Sequence, residues 1–333
     1  MQTPPPPNII TMSEVQATAV KWLWYPYIPY GKITLIQGDP GDGKTTFILA
    51  VSALLTNGKP MPECDSTVAL PETVIYQTAE DGLADTIKPR LEAVGADCAR
   101  VVVIDESERP LSFSDKRIEQ AIAVTKAKLL ILDPLQAYLG VDVDMHRANE
   151  IRPTFKALSG VAERTGCAVI VIGHMNKMAG GQTKGLYRGL GSIDIAAAVR
   201  SILLVGRDKD NPNTRVMAHL KSSLAPEGCP IAFELDDDGF RWVGAYEIEL
   251  DDLLNGTRAE RQNTKEAQAV SLILEMLRDG EMPCTEIYSR LSEHGIGKRT
   301  AENAKQTAGV RAFKKGAAWH WAITQKKTAT PQD

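Results

Sequence analysis

The feature that most constrains this chain is a glycine-rich turn that joins an apolar run to a segment with helical spacing. Residues 33–37 read ITLIQ, and residues 38–45 read GDPGDGKT, which satisfies the pattern G-x-x-x-x-G-K-S/T. Such a turn between a strand and a helix directs backbone N–H groups and the helix dipole at a phosphate. The sequence therefore predicts a nucleotide phosphate site; the alternative is an incidental glycine-rich turn.

The side chains around this turn have distinct expected tasks. Lys44 is expected to contact the β and γ phosphates, and Thr45 to ligate Mg²⁺. Residues 129–133 read LLILD, an apolar strand whose terminal carboxylate makes Asp133 a second expected ligand of Mg²⁺; the alternative is a buried strand with an acidic helix cap. We predict ATP and Mg²⁺ as cofactors, with nucleotide contacts from Gly38, Asp39, Pro40, Gly41, Asp42, Gly43, Lys44, Thr45 and Thr46.

Short β-branched runs alternate with segments of helical period along most of the chain. This alternation is typical of βαβ units, so we predict an α/β fold with a mostly parallel central sheet flanked by helices. A later pair of runs, at residues 231–235 and 240–243, has the spacing of an antiparallel hairpin. The other predicted strands are residues 33–37, 73–78, 101–105, 129–133, 168–173, 198–205 and 215–221.

Two further polar residues follow predicted strands and would emerge at the same edge of a parallel sheet. Glu80 comes after residues 73–78, where a carboxylate beside the γ-phosphate would orient the attacking water. The alternative is that Glu80 and Asp81 only begin a helix, and Asp81 is the second candidate for catalysis. His174 ends the run at residues 168–173 and is either a γ-phosphate donor or a structural histidine.

The ordered set of motifs resembles the RepA-type hexameric replicative helicases, relatives of the RecA-like core of DnaB helicases. The resemblance covers residues 15–245 and rests on residues 38–45, 74–81, 129–133, 171–177 and 188–192. It implies a RecA-like P-loop core, Glu80 as the catalytic carboxylate and His174 as the γ-phosphate sensor. It also implies a ring of six subunits with ATP at the interfaces.

In such rings a basic residue of the neighbouring subunit completes the active site. The resemblance puts this residue at Arg215 or Lys221, which bracket the last long predicted strand. DnaB-like helicases carry Lys-x-Arg near this point, whereas this chain has Ser223 two positions after Lys221. Arg207 and Arg200 are further candidates, and ordinary surface charge is the alternative for all of them.

Residues 175–188 form a long basic stretch directly after the predicted sensor strand. Long loops inside compact domains are more often functional than idle. We predict that this loop grips single-stranded DNA through Lys177, Lys184 and Arg188; a surface loop is the alternative.

The chain divides by composition into four parts. We predict an N-terminal leader and docking segment at residues 1–31, a RecA-like ATPase domain at 32–246, an acidic linker at 247–264 and a winged-helix domain at 265–325. The last part has helical spacing at residues 265–277, 285–291 and 298–307 and strands at 310–315 and 317–323. Its expected contacts with duplex DNA are Lys298, Arg299, Lys305, Lys314 and Lys315; a protein-binding module is the alternative.

Charge and hydropathy narrow the function classes. A net charge of −4 argues against coating nucleic acid through bulk charge, and no apolar run approaches the roughly 18 residues of a membrane helix, so we expect a cytoplasmic protein. The expected function is an ATP-dependent DNA motor, a helicase. The alternatives are a DNA-binding initiator or regulator that uses ATP as an assembly switch, and a RecA- or RadA-like recombination ATPase.

Overall fold

The chain folds into two units, Met1–Leu254 and Asn255–Asp333. The computed structural model describes residues 9–64, 70–140, 143, 147–174, 193–250, 253, 265–278, 280–316 and 318–323. Each unit has its own core of buried apolar side chains.

A nine-stranded sheet organises the first unit, in the order β11-β10-β9-β8-β3-β7-β6-β4-β5. The strands from β8 to β5 in this order run parallel, and β9, β10 and β11 extend the sheet antiparallel. The predicted α/β fold with a mostly parallel sheet is confirmed. The strands are β3 Ile33–Gly38, β4 Val74–Thr78, β5 Val101–Val102, β6 Leu129–Asp133, β7 Ala168–His174, β8 Ser201–Arg207, β9 Thr214–Ser222, β10 Ile231–Asp236 and β11 Gly239–Ala245.

Helices cover both faces of this sheet, as a sheet buried on two sides requires. One face packs against α3 (Lys116–Thr125), α4 (Ala148–Thr165) and α5 (Ile193–Ala198), and the other against α1 (Lys44–Thr56) and α2 (Lys88–Ala93). Within the described residues, no helix has the length and hydropathy to cross a membrane.

The aromatic segment before β3 is part of the core. The hairpin of β1 (Trp22–Trp24) and β2 (Ile28–Pro29) buries Trp24, Tyr27 and Ile28 to 2% exposure or less. Trp24 packs against Phe47 of α1, with ring centroids 6.1 Å apart. The predicted boundary at residue 32 therefore separates a hairpin from the core to which it belongs, because aromatic density alone does not distinguish docking from core packing.

Two boundaries that the sequence predicted differ from those in the structure, each for a physical reason. The predicted strand at residues 101–105 stops at Val102, because the Gln77 side chain takes both the N–H and the C=O of Ile104, at 2.6 and 3.2 Å. Part of the predicted acidic linker packs on the first unit, where Ile248 and Leu250 are partly buried and Leu253 is 5% exposed. Apolar residues spaced between the acids hold it there.

The described residues of the second unit form three helices and a small sheet. Its elements are α6 (Lys265–Met276), β12 (Met282–Pro283), α7 (Cys284–Glu293), α8 (Lys298–Thr307), β13 (Val310–Lys315) and β14 (Ala318–Ile323). The sheet order is β12-β14-β13, with both pairs antiparallel. Trp321, 2% exposed, anchors the core among Ile287, Leu291 and Ala304. That this unit is a winged helix stays a prediction.

A buried histidine joins the N-terminal hairpin to the loop after β9. His219 is 4% exposed, accepts the Gly228 N–H at Nδ1 (2.9 Å) and stacks on Tyr27 with ring centroids 5.0 Å apart. Burial lowers the pKa of His219 from 6.5 to about 4. The imidazole is therefore neutral in the folded protein at pH values where the unfolded chain protonates it.

This pKa predicts a pH-dependent loss of stability. Above pH 6.5 His219 is neutral in both states and contributes no pH dependence; as the pH falls from 6.5 to about 4, the unfolded state binds a proton that the folded state does not. The free energy of unfolding should fall by about 1.4 kcal/mol per pH unit in this window through this group. Urea titrations of wild type and His219→Asn, compared at pH 7 and pH 5, measure it.

Asn retains an acceptor for Gly228, so the variant should show a flatter pH profile. The exposed His294 provides the matched control, since His294→Asn should follow the wild type. Parallel profiles for His219→Asn and wild type would refute the assignment.

Candidate active site

The glycine-rich turn adopts the wrapped conformation that its sequence predicts. Gly41 and Gly43 have φ values of +83° and +86°, which glycine adopts without steric cost. Gly38 has no room for a side chain, because a Cβ there would lie 2.1 Å from the carbonyl oxygen of Val205 on β8. The turn, hereafter the P-loop (residues 38–45), thus leads from β3 directly into the N-terminus of α1.

Lys44 lies within the P-loop rather than in solvent. It is 5% exposed, and its Nζ donates to the carbonyl oxygens of Gly38 and Asp39, both at 2.9 Å. Burial lowers its pKa, while Asp42, Asp133 and Asp39 raise it. An ammonium group has three donors, so one N–H remains for a phosphate oxygen.

Asp133 connects β6 to the P-loop. Its Oδ2 accepts hydrogen bonds from Thr45 Oγ1 at 2.9 Å and from the Tyr76 hydroxyl at 3.0 Å, and the residue is 8% exposed. Burial, followed by the charge of Asp133, raises the pKa of Tyr76, which keeps the phenol protonated as a donor. Sequence reasoning missed Tyr76, because a tyrosine in a buried strand looks like ordinary core.

The residues at this point fit Mg²⁺. Thr45 and Asp133 offer one hydroxyl and one carboxylate oxygen, the hard oxygen ligands that Mg²⁺ prefers, and Mg²⁺ sites of this kind complete the octahedron with water and substrate phosphate. The direct Thr45–Asp133 hydrogen bond shows that both oxygens already face one point.

Glu80 lies beside this pair at the carboxyl edge of the sheet. Thr78 is the register partner of Asp133, and the Ala79 N–H donates to the Asp133 carbonyl oxygen at 3.1 Å. Glu80 is exposed and has no ion pair or hydrogen bond within the described part of the chain. Asp81, in contrast, pairs with Arg90 at 3.0 Å. Of the two candidates, Glu80 is the one whose carboxylate is free to meet water.

His174 ends β7 at the same edge. The register of β3 and β7 pairs His174 with Gly38, the first residue of the P-loop. Gln37, just before that glycine, is 1% exposed and its amide has no hydrogen-bond partner within the described residues. The loop residues Lys177, Lys184 and Arg188 lie outside the described residues.

Four basic residues were candidates for completing the active site of a neighbouring subunit. Two of them, Arg207 and Arg215, lie at the P-loop of their own chain. Arg207 Nη2 donates to the Gly41 carbonyl oxygen at 2.7 Å, and its Nε lies 3.4 Å from Asp42 Oδ1. Arg215 is 8% exposed, and its Nη1 donates to the carbonyl oxygens of Asn213 and Leu235, both at 2.9 Å. A side chain that is buried beside its own P-loop does not suit the role in a neighbouring subunit that the resemblance implied for Arg215.

Lys221 and Arg200 lie at the opposite edge of the sheet. β9 runs antiparallel to β8, so Lys221 pairs with Ile202 at the beginning of β8. Lys221 Nζ donates to the carbonyl oxygens of Ala196 and Val199 at 2.6 and 2.9 Å, at the end of α5. Arg200 is exposed. The sequence predicts that Arg215 and Lys221 lie at the two ends of one strand, and only the pairing of β9 with β8 shows which end lies at the P-loop.

In the second unit, three of the five predicted DNA contacts already have partners. Lys305 lies 4.9 Å from the Trp321 ring centroid and 3.3 Å from Glu302, Lys298 lies 5.3 Å from the Tyr288 ring centroid, and Lys315 pairs with Glu281. Arg299 and Lys314 are exposed and have no ion pair within the described residues. Arg299, Asn303 and Gln306 share an exposed helical face.

Comparison with known proteins shows which family the chain resembles. The model of the AAA_25 family, described as an AAA domain, matches residues 6–180. A DNA repair protein RadA of Halalkalibacterium halodurans is 27% identical over 149 residues, 44% of this chain and 28% of that protein. The match thus spans little more than a quarter of that relative's length.

Two solved structures resemble the chain at low identity. The ATPase domain of G40P is 15% identical with a TM-score of 0.49, and the alignment covers 65% of this chain and 85% of that chain. A KaiC-like protein of Pyrococcus horikoshii OT3 is 16% identical with a TM-score of 0.46, and the alignment covers 66% and 91%.

The Tyr76 hydrogen bond generates a prediction about the metal. Tyr76→Phe removes one of the donors that orient Asp133, and loss of such a partner to a metal ligand typically costs 10- to 100-fold in metal affinity. We expect the Mg²⁺ concentration for half-maximal ATP binding to rise roughly 10-fold. Titration of Mg²⁺ against a fluorescent ATP analogue measures it. Tyr25→Phe, at a tyrosine that is 52% exposed, is the control, and equal titrations for all three proteins would disprove the role.

Proposed function

The chain belongs to the AAA_25 family of AAA domains, and from this premise we propose that it is an ATP-driven motor acting on DNA, a replicative helicase of the RepA type. The observation that carries the proposal is the meeting of Lys44, Thr45 and Asp133 at one sheet edge, with Glu80 beside them. This is the set of groups that phosphoryl transfer from ATP requires: a phosphate cradle, a metal site and a carboxylate for the attacking water.

Each group has a separate task in hydrolysis. The P-loop N–H groups and Lys44 hold the phosphates, and Thr45 and Asp133 hold Mg²⁺, which neutralises charge on the phosphate oxygens when it is bound. Glu80, exposed and unpaired in the described chain, accepts hydrogen bonds from water and orients it for in-line attack. His174, one strand away and level with Gly38, is the proposed sensor of the γ-phosphate.

In the proposed ring, a basic residue of the neighbouring subunit would complete the hydrolytic side of the site. In a head-to-tail ring the contacting surfaces of two neighbours differ, so a residue that serves the neighbour must lie away from its own P-loop. Lys221 meets this condition, since it lies at the opposite end of β9 from Arg215. We propose Lys221 as the residue that acts on the neighbour's nucleotide, with Arg200 as the second candidate.

DNA contacts are proposed at two places. The loop residues Lys177, Lys184 and Arg188 follow the sensor strand in sequence and would grip single-stranded DNA, as basic loops in such channels do. In the second unit, the face of Arg299, Asn303 and Gln306 on α8, together with Lys314, suits duplex DNA in the manner of a recognition helix and wing.

That second face also supports a different function. A module with exposed base-edge partners on one helix face suits a site-specific initiator or regulator, with ATP acting as an assembly switch. The two functions are separated by activity on DNA. A helicase shows ATP hydrolysis stimulated by single strands and displaces one strand of a tailed duplex; a regulator protects one duplex sequence and displaces nothing. Electron microscopy with and without ATP tests for the six-membered ring.

The proposed role of Glu80 predicts a separation of binding from hydrolysis. Glu80→Gln should bind ATP with nearly wild-type affinity while its kcat falls by roughly 10²- to 10⁴-fold, since only the orientation of water is lost. Isothermal titration and a phosphate-release assay measure the two quantities.

Two further variants serve as controls for this result. Lys44→Ala should weaken ATP binding and abolish hydrolysis, and Glu92→Gln, at an exposed glutamate of α2, should behave as wild type. Full hydrolysis by Glu80→Gln would move the catalytic role to Asp81 or to a residue outside the described part of the chain.

A further inference from the structure

Two arginines face each other beside the P-loop. Arg207 and Arg215 are directly opposite partners in the antiparallel pair of β8 and β9. Such partners project on the same face with Cβ atoms about 4.5–5.5 Å apart, and like charges in this position repel. The pKa of Arg215 is lowered by burial and then by the charge of Arg207. The fold therefore maintains an unfavourable pair of cations at this edge.

The two arginines are not equally compensated. Arg207 has the Asp42 carboxylate and the Gly41 carbonyl oxygen as partners. Arg215 is 8% exposed, its Nε is buried without a partner, and within the described residues no carboxylate oxygen lies within 4.0 Å of it. A buried cation without an anion in direct contact is costly, because it has lost water and only the more distant charge of Asp42 favours it.

Arg215 also lies against the phosphate-binding turn. Its Cδ and Nε lie 3.1 and 3.4 Å from the point where a Cβ on Gly43 would stand, immediately before α1 begins at Lys44. The N-terminus of a helix carries positive partial charge. The guanidinium, the helix end and Lys44 lie together around the turn, where Asp39 and Asp42 supply part of the counter-charge and a bound phosphate would supply more.

The order of the strands shows which part of a nucleotide this region faces. β3, which leads into the P-loop, has β7, β6 and β4 on one side and β8 and β9 on the other. Asp133, Glu80 and His174 end strands on the β7 side, so the γ-phosphate points that way. Arg215 is on the β9 side and is therefore near the phosphates that hydrolysis leaves in place.

We propose that Arg215 acts in cis, as the counter-charge for the nucleoside-proximal phosphates of a nucleoside di- or triphosphate on the P-loop of its own subunit. Its role is to set nucleotide affinity. The inference rests on the proposed binding of ATP, but it differs from the finger role implied by the resemblance. A residue that acts on a neighbour's transition state lowers kcat when it is removed, whereas a cis counter-charge weakens ADP and ATP binding alike.

The decisive measurement is the affinity for ADP. Arg215→Met keeps most of the apolar bulk and removes the charge, and Arg241→Met is the matched control, since Arg241 is a surface arginine on β11 that pairs with Glu234 and Asp236. We expect the Kd for ADP to rise about 10- to 100-fold in Arg215→Met, the range for a charge-assisted hydrogen bond. Arg241→Met should bind ADP as wild type, and Arg215→Lys should recover most of the affinity.

Hydrolysis and subunit mixing separate the cis role from the trans role. At saturating ATP the kcat of Arg215→Met should stay within about threefold of wild type. At ATP concentrations below its raised KM, Arg215→Met mixed with Lys44→Ala should hydrolyse ATP no faster than Arg215→Met alone, because a cis arginine on one subunit does not serve the P-loop of another. Unchanged ADP affinity, or faster hydrolysis in the mixture, would overturn the inference.

A second variant and the binding of nucleotide by the wild type distinguish the ways in which this experiment could fail. If Arg215→Met does not fold, Arg215→Gln carries the same measurements with an amide that can still donate to the Leu235 carbonyl oxygen. A wild-type protein that binds neither ADP nor ATP refutes the proposed function itself, whereas wild-type binding with unchanged affinity in the Arg215 variants refutes only this inference.

Discussion

Parallel register is the constraint on which the rest of the structure depends. Because β3, β4, β6 and β7 run in the same direction, the residues that end them meet at one edge: Gly38, Thr78, Asp133 and His174. The Thr45–Asp133 hydrogen bond then connects the first turn of α1 to the end of β6. A shift of one residue in the β4–β6 pair would turn Tyr76 to the other face of the sheet and remove a donor from Asp133. The site thus depends on the pairing of the strands, because the pairing decides which side chains meet.

The sequence predicts the phosphate cradle well, because the P-loop is local: glycine positions, Lys44 and Thr45 follow from eight consecutive residues. It predicts Asp133 and Glu80 less directly, since both need the parallel order of the strands. It could not predict the position of Arg215, because that depends on where an antiparallel strand enters the sheet. Tyr76 and Gln77 were missed for a related reason. Both lie in a strand that reads as core, and only the pairing shows that one holds Asp133 and the other ends β5.

Close packing around the P-loop explains why its glycines are needed beyond their backbone angles. Gly38 admits the carbonyl oxygen of Val205, and Gly43 admits Arg215 and Leu235. The loop is therefore supported by β8, β9 and β10, although its ligand groups come from α1 and the parallel strands. Support from neighbours keeps the N–H groups in place without ligand. The cost is that a cation is buried next to the loop, and a bound anion would offset this cost.

Strand β9 runs from the end of the sheet that carries the P-loop to the opposite end, where the parallel strands begin. Arg215 begins it beside its own P-loop, and Lys221 ends it at the opposite edge, six residues and about 20 Å away. In the proposed ring, one strand then carries a residue for its own nucleotide at one end and a residue for the neighbour's nucleotide at the other. A paired strand in the middle of a sheet bends and stretches little. Arg215 and Lys221 therefore keep a fixed separation along β9, and each is held by two backbone carbonyl oxygens.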